Sequence, residues 1–268
     1  VFQLANYGLL TDYSKVASDS VILLLISLIL IISLRKEIEF RLNLKVLRRA
    51  LGFGIPLLPH LLAVFLLNAG DRYVIEIFMG VDDVGIYSLA YQLSLAISIV
   101  AVGIDQAWTS YFYESVNNGI NNSNNMRQVV HAYSAWVSLI ALVFLFSLDY
   151  IFALLDIDGG YLEAIDYIPI IVVALVLQGI YFIFSKPILN ERKTLLLSKI
   201  TIFCACVNIL LNILLIPIIG LMGAAITTLF SYLVQVLVTF SFSQKIFRVD
   251  ISSVRTLVPI ALLLLTSF

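Results

Sequence analysis

The sequence predicts an all-α protein, a polytopic membrane helix bundle with about eight transmembrane helices. Three observations lead there. Of 268 residues, 61% are hydrophobic and 12% charged, with mean hydropathy +1.04, whereas a soluble domain carries about 25% charge. No globular core hides that much apolar surface, so lipid must be the solvent. The apolar residues also fall into runs of the length needed to cross a bilayer core, about 20 residues. Finally, the joints between runs alternate between basic and acidic.

The runs are 17–34, 51–79, 84–113, 128–154, 162–185, 194–218, 221–245 and a partial 255–268. The short joints "GVDDVG", "DIDGG" and "PIIGLMG" carry turn chemistry. The longest polar gap, "ESVNNGINNSNNMRQ", is an Asn-rich loop, and no stretch has the composition of a soluble domain. The chain opens on Val1 and stops in "LVPIALLLLTSF", too short to span. Both ends read as cut, so a piece of a longer polytopic protein is expected.

Basic residues set the orientation. The 34–51 joint holds Arg35, Lys36, Arg41, Lys45, Arg48 and Arg49. Arg127 follows the third run, Lys186, Arg192, Lys193 and Lys199 the fifth, and Lys245, Arg248 and Arg255 the seventh. Of 16 basic residues only Lys15 and Arg72 fall elsewhere, and the other joints carry Asp82, Asp83, Asp156 and Asp158. The basic joints are therefore expected on the cytoplasmic side. The sequon Asn121-Asn122-Ser123 falls on that side and should be silent. In the 34–51 joint, Phe40, Leu44, Leu47 and Leu51 recur at helical spacing between basic residues. That pattern reads as an amphipathic helix on the inner membrane surface, serving as a topology signal or as a lipid-phosphate contact.

Several runs carry one polar face. The third has Tyr87, Tyr91, Ser94, Ser98 and Asp105, with Val102 filling the repeat; the sixth has Thr201, Asn208 and Asn212; the seventh has Thr228, Ser231, Gln235, Thr239 and Ser243. In lipid such faces turn inward. They serve either as helix–helix glue or as the wall of a water-filled lumen, and stripes this continuous favour the lumen. Hydroxyls, amides and tyrosines suit sugars.

The second run holds Asn68, Asp71, Arg72 and Glu76. A helix starting near Leu51 would place Arg72 about 30 Å along, near the outer leaflet. Glu76, one turn on, could pair with it, while Asp71 would face partly elsewhere. The expected result is an outer-end ion pair, acting structurally, as a gate, or as an anion contact. Asp105 would lie near the inner end, beside Gln106 and Trp108.

Other signals carry little. Cys204 and Cys206 point about 200° apart on a helix, cannot pair, and read as buried thiols. His60 and His131 have no second ligand at metal spacing. Asp156-Ile-Asp158 has the form of a metal-holding acidic pair, but Gly160 and Tyr167 break the EF-hand pattern and a turn is the default reading. No nucleotide loop and no nucleophile motif is found. No catalytic residue, metal or cofactor is expected, and no nucleic-acid partner.

At "LGFGIPLLPHLLAVFLLNAGDRYVIEIFMGVDDVGIYSLAYQLS" the chain resembles the bacterial polysaccharide (O-antigen type) flippases of the multidrug/oligosaccharidyl-lipid/polysaccharide exporter superfamily. The matching residues are Gly54 and Pro56, Asp71 and Arg72, and Gly85 and Tyr87. A second match is "VNILLNILLIPIIGLMGAAITTLFSYL", at Asn208, Leu211, Asn212, Ile216, Pro217, Gly220, Gly223, Ala224 and Ala225. The resemblance implies a fragment of a two-lobe transporter of twelve to fourteen helices working by alternating access. Residues 1–34 would be the last helix of the first lobe with its outer flank, and 35–50 the basic inter-lobe segment. Residues 51–246 would be the six-helix second lobe, and 247–268 the start of a further helix.

It also implies a substrate, undecaprenyl-pyrophosphate-linked oligosaccharide, and membrane lipids, a polysaccharide polymerase and glycosyltransferases as partners. A cation-coupled drug exporter of the same superfamily and a membrane-embedded glycosyltransferase or polymerase are the alternatives. Candidate substrate-path or gate residues are Asn68, Asp71, Arg72, Glu76, Tyr87, Tyr91, Asp105, Asn208, Asn212 and Gln235.

Overall fold

Proline and serine interrupt two of the apolar runs, and these breaks decide where the charged residues sit. The computed structural model describes residues 14–35, 43–119, 123–157 and 159–246, which form helices and turns only. The chain divides into two compact units, Val1–Ala50 and Leu51–Phe268.

In the first unit, α1 (Ser14–Leu34) exposes its apolar residues all round, with Leu24 70% exposed. The helix α2 (Leu44–Gly54) starts in this unit and ends in the second. Asn43 caps it: its Oδ1 accepts from the backbone N–H groups of Lys45 at 3.1 Å and Val46 at 3.3 Å. Leu44 and Leu47 are exposed among Lys45, Arg48 and Arg49, the amphipathic pattern predicted there. Phe40 and Arg41 lie outside the described residues.

In the second unit, the run expected to be one helix over 51–79 is broken. The helix α2 stops at Gly54, a 3₁₀ turn covers Ile55–Leu57, and α3 restarts at Leu58 and runs to Phe78. Pro56 and Pro59 supply no N–H and disfavour helical geometry in the residue before them. The helix α4 (Val81–Asn117) has 37 residues, longer than the predicted 84–113. The predicted 128–154 helix is two, α5 (Ser123–Phe146) and α6 (Leu148–Leu154). Between them the Ser147 N–H is shared by the carbonyls of Val143 and Phe144, both at 3.1 Å, and Ser147 Oγ donates to Phe144 at 2.8 Å. A side chain competing for backbone acceptors breaks the ladder at that point.

After a 3₁₀ turn at Gly159–Glu163 come α7 (Ala164–Asn190), α8 (Thr194–Ile219) and α9 (Leu221–Ile246). Among the described residues, five helices are long and apolar enough to cross a membrane: α4, α5, α7 with its preceding turn, α8 and α9. The charges of α3 dilute its 21 residues, and the predicted 255–268 span lies outside the described residues.

Around the lobe, α3 packs on α8, α8 on α9, α9 on α7, and α7 on α4 and α5. The centre is α7, apolar on all sides through "IIVVALVL" and 83% buried over its most apolar window, as expected of a helix without a polar face. Small residues set the close approach of α8 and α9. A Cβ on Gly223 would stand 2.9 Å from the backbone C and O of Leu215, so α8 and α9 approach closely only because that position is glycine. Gly220 closes α8 with φ +63°, a left-handed conformation suited to glycine. These two glycines, with the buried Ala224 and Ala225, give the "GLMGAA" pattern its physical meaning.

Candidate functional site

Asn68 is the hub of a polar cluster where α3, α4, α7 and α9 meet. Its Oδ1 accepts from the hydroxyls of Tyr232 at 2.6 Å and Tyr91 at 3.3 Å and from Gln178 Nε2 at 3.4 Å. Gln178 Nε2 also donates to Tyr232 Oη at 3.0 Å. Arg72 lies one turn further along α3. Its Nη1 donates to the Asn68 carbonyl at 2.6 Å and to Asp71 Oδ1 at 3.3 Å, its Nε donates to Ser88 Oγ at 3.2 Å, and its guanidinium sits 4.5 Å from the Tyr91 ring centroid. Asp71 is fully buried, while the Arg72 side chain is 23% exposed.

Each contact follows from local sequence. Asn68 and Arg72 are four apart on α3, and Ser88 and Tyr91 three apart on α4, so each pair shares a helix face. Tyr87 is fully buried behind Tyr91, their rings 6.4 Å apart. The Tyr87 hydroxyl and Asp71 Oδ2 are buried and make no well-aligned hydrogen bond among the described residues. Asn68, Arg72, Ser88 and Gln178 are each partly exposed, so the cluster has a buried back and an accessible front.

The arrangement corrects the expected ion pair. Arg72 pairs with Asp71, not Glu76, which is exposed and two residues from the end of α3. Asp71 turns into the lobe, and Glu76 turns out, where solvent or headgroups hold its charge. Because α3 restarts at Leu58, Arg72 is about 21 Å along it and about 9 Å from its end at Phe78. Counted from the helix ends on that same side, Asn68, Tyr91, Tyr232 and Gln178 lie about 15–21 Å in, so the cluster reaches from near that end toward the middle of the helices.

Asp105 sits about 36 Å along α4 and about 18 Å before its end at Asn117. Both its carboxylate oxygens are 2.9 Å from Lys186 Nζ on α7, with side-chain exposures of 19% and 11%. Lys186 was expected in a basic joint; the helix extends to Asn190 and carries it inside. Asn208 and Asn212 form a separate bridge. Asn212 Nδ2 donates to Asn208 Oδ1 at 3.1 Å, and Thr227 Oγ1 bonds Asn212 Oδ1, tying α8 to α9.

The long stripes are packed away, though few of their groups bond across helices: Ser94 and Ser231 bond carbonyls of their own helices, and the Thr228, Thr239 and Ser243 hydroxyls make no well-aligned hydrogen bond among the described residues. Ser94, Thr201, Thr228, Ser231, Gln235, Thr239 and Ser243 are all buried between helices, so packing takes up these faces in this structure rather than an open lumen. Val102 is 41% exposed and falls off the buried face. Cys204 is buried, but Cys206 is exposed, because positions two apart cannot both face the core. His60 Nδ1 lies 2.8 Å from Thr201 Oγ1 and bridges α3 to α8. Sequence reading missed Ser88, Gln178 and Tyr232: Ser88 and Tyr232 lie one position off the polar stripes of their helices and Gln178 stands alone in an apolar run, so only their convergence on Asn68 and Arg72 marks them.

Residues 8–116 match the sequence model of a family described as polysaccharide biosynthesis protein. Lsg locus protein 1 of Haemophilus influenzae is 35% identical over 81 residues, 30% of this chain and 20% of that protein. Two solved structures share the fold. One is an outward-facing multidrug resistance MATE family transporter of the MOP superfamily, with TM-score 0.65 and 19% identity. The other is a MOP superfamily transporter from Pyrococcus furiosus, with TM-score 0.62 and 19% identity. Each likeness covers 81% of this chain and 51% of that one, so the chain spans about half the length of these transporters and a fifth of the Haemophilus protein. Taken with the apolar spans, these likenesses mark a multi-pass membrane protein whose residues 8–116 resemble the polysaccharide biosynthesis protein family and whose described helices share the fold of the two transporters.

Proposed function

We propose that this chain forms the second lobe of a flippase that carries an undecaprenyl-pyrophosphate-linked oligosaccharide across the bacterial inner membrane. One observation carries the reading: the cluster presents the Asn68 and Gln178 amides, the Ser88 hydroxyl and the partly exposed Arg72 guanidinium on one accessible front, backed by buried tyrosines. Saccharides are bound by such groups, which satisfy many hydroxyls without strong net charge. Asp71 neutralises Arg72 in the absence of substrate. A diphosphate headgroup would compete for the same guanidinium through charge-assisted hydrogen bonds.

The lobe would act as a carrier and not as a catalyst, rocking against its partner lobe in alternating access. Glycosyltransferases would supply its substrate and a polymerase would consume it. The fold shared with a multidrug transporter does not by itself favour drug export here, because the accessible front carries a paired cation rather than a free carboxylate.

The test is complementation. The complete parent protein, expressed in a flippase-deleted strain, should restore surface polysaccharide. Gln178→Ala and Arg72→Ala should each reduce it at least several-fold at unchanged membrane abundance. Full activity in both variants would remove the cluster from the transport path.

A further inference from the structure

We propose that a groove between α3 and α8 binds one acyl chain of an anionic phospholipid from the inner leaflet, with Lys199 as its headgroup contact. The inference rests on membrane orientation and not on the transported substrate.

The groove has a volume of about 250 Å³ and is lined by Pro59, Leu62 and Leu66 of α3 and Ile202, Cys206 and Ile209 of α8. It contains almost no polar surface. Ala63 and Ala205, 3% and 2% exposed, form its floor, so small side chains at facing positions leave the gap. The spacing of the two helices is fixed at two levels. The His60–Thr201 bond of 2.8 Å holds them toward the inner end, and Leu67 packs with Ile200 and Cys204 below the floor. From Pro59 to Leu66 and from Ile202 to Ile209 the groove runs about 10 Å along both helices. An apolar slot of that volume and length suits a segment of hydrocarbon chain.

Its position selects the occupant. Both Pro59 and Lys199 lie near the helix ends assigned to the cytoplasm by the basic residues, so the groove opens on the inner leaflet. Lys199 is exposed and stands three, seven and ten residues before Ile202, Cys206 and Ile209, on the same face of α8. About 8 Å into the helix, its amine can reach the headgroup layer along its aliphatic stem. Among the described residues no acidic side chain forms an ion pair with it. An apolar slot topped by one cation complements a lipid with an anionic head. A zwitterionic lipid fits the slot but gains less from the cation, and a single interfacial lysine is worth about a five-fold preference.

The experiment uses the complete parent protein in nanodiscs of equal phosphatidylglycerol and phosphatidylcholine, extracted gently and read by native mass spectrometry. Wild type should retain a phospholipid with about a five-fold preference for phosphatidylglycerol. Lys199→Gln should abolish the preference. Cys206→Phe, which fills the groove from an exposed position, should lower the number of retained lipids by one. Thermal unfolding of both variants checks that the fold is intact. An unchanged preference in Lys199→Gln, or unchanged retention in Cys206→Phe, overturns the proposal. A third arm adds isoprenyl phosphate to the nanodiscs. Its replacing phosphatidylglycerol on the wild type when both are present at equal concentration would assign the groove to the transported lipid and overturn the phospholipid assignment.

Discussion

Replacing Arg72 by glutamine gives the sharpest test of the cluster's energetics. Asp71 is fully buried, and its Oδ1 lies 3.3 Å from Arg72 Nη1. At that separation two unit charges attract by about 5 kcal/mol at an effective dielectric near 20, an attraction partly offset by the cost of burying them. Arg72→Gln leaves the carboxylate buried and uncompensated, which costs about 3–5 kcal/mol. Asp71→Asn should cost less, because Arg72 keeps the Asn68 carbonyl, Ser88 and the Tyr91 ring and is exposed enough to hydrate. The double variant Asp71→Asn/Arg72→Gln removes both charges together, so its loss should fall short of the summed single losses by about 1–3 kcal/mol. The assay is reversible unfolding in mixed micelles, followed by the fluorescence of Trp108 and Trp136. Arg72→Gln within about 0.5 kcal/mol of wild type, or a strictly additive double variant, would refute the assignment of Asp71 as the partner.

The same logic applies to the Asp105–Lys186 pair. Lys186→Met should destabilise the lobe by about 3–5 kcal/mol, and Asp105→Asn in the same chain should recover much of that loss; unfolding midpoints of the three variants read the effect. Gly223→Ala places a methyl against the Leu215 backbone, which cannot rotate away, so a loss of about 1–3 kcal/mol is expected. A Gly223→Ala protein as stable as wild type would mean that α8 and α9 separate freely.

Much of the architecture was legible because lipid enforces a simple rule. A span must be apolar for its whole length, so runs such as 194–218 and 221–245 announced helices that the structure places at Thr194–Ile219 and Leu221–Ile246. Breaks were less legible. Ser147 and the Pro56–Pro59 stretch interrupt runs whose average hydrophobicity does not change, and a backbone hydrogen-bond ladder responds to single residues where composition does not. The site was half legible. Asn68, Asp71, Arg72, Tyr87 and Tyr91 stood out as polar residues at helical spacing, but Glu76 was drawn in by its i+4 position alone.

The amino-acid order by itself determined that this chain spans membranes as helices, which ends of those helices carry basic residues, and which residues could share a helix face. Those are properties of one helix at a time, set by periodicity and by the cost of exposing polar groups to lipid. The tertiary structure decided which faces meet. It turned Asp71 inward and Glu76 outward, brought Gln178 from α7 and Tyr232 from α9 onto Asn68, and gave Asp105 its partner in Lys186. Partner choice depends on the rotation and depth of one helix against another. Those are fixed by side-chain packing across the interface, such as the Gly223–Leu215 approach, and not by any pattern within a single helix.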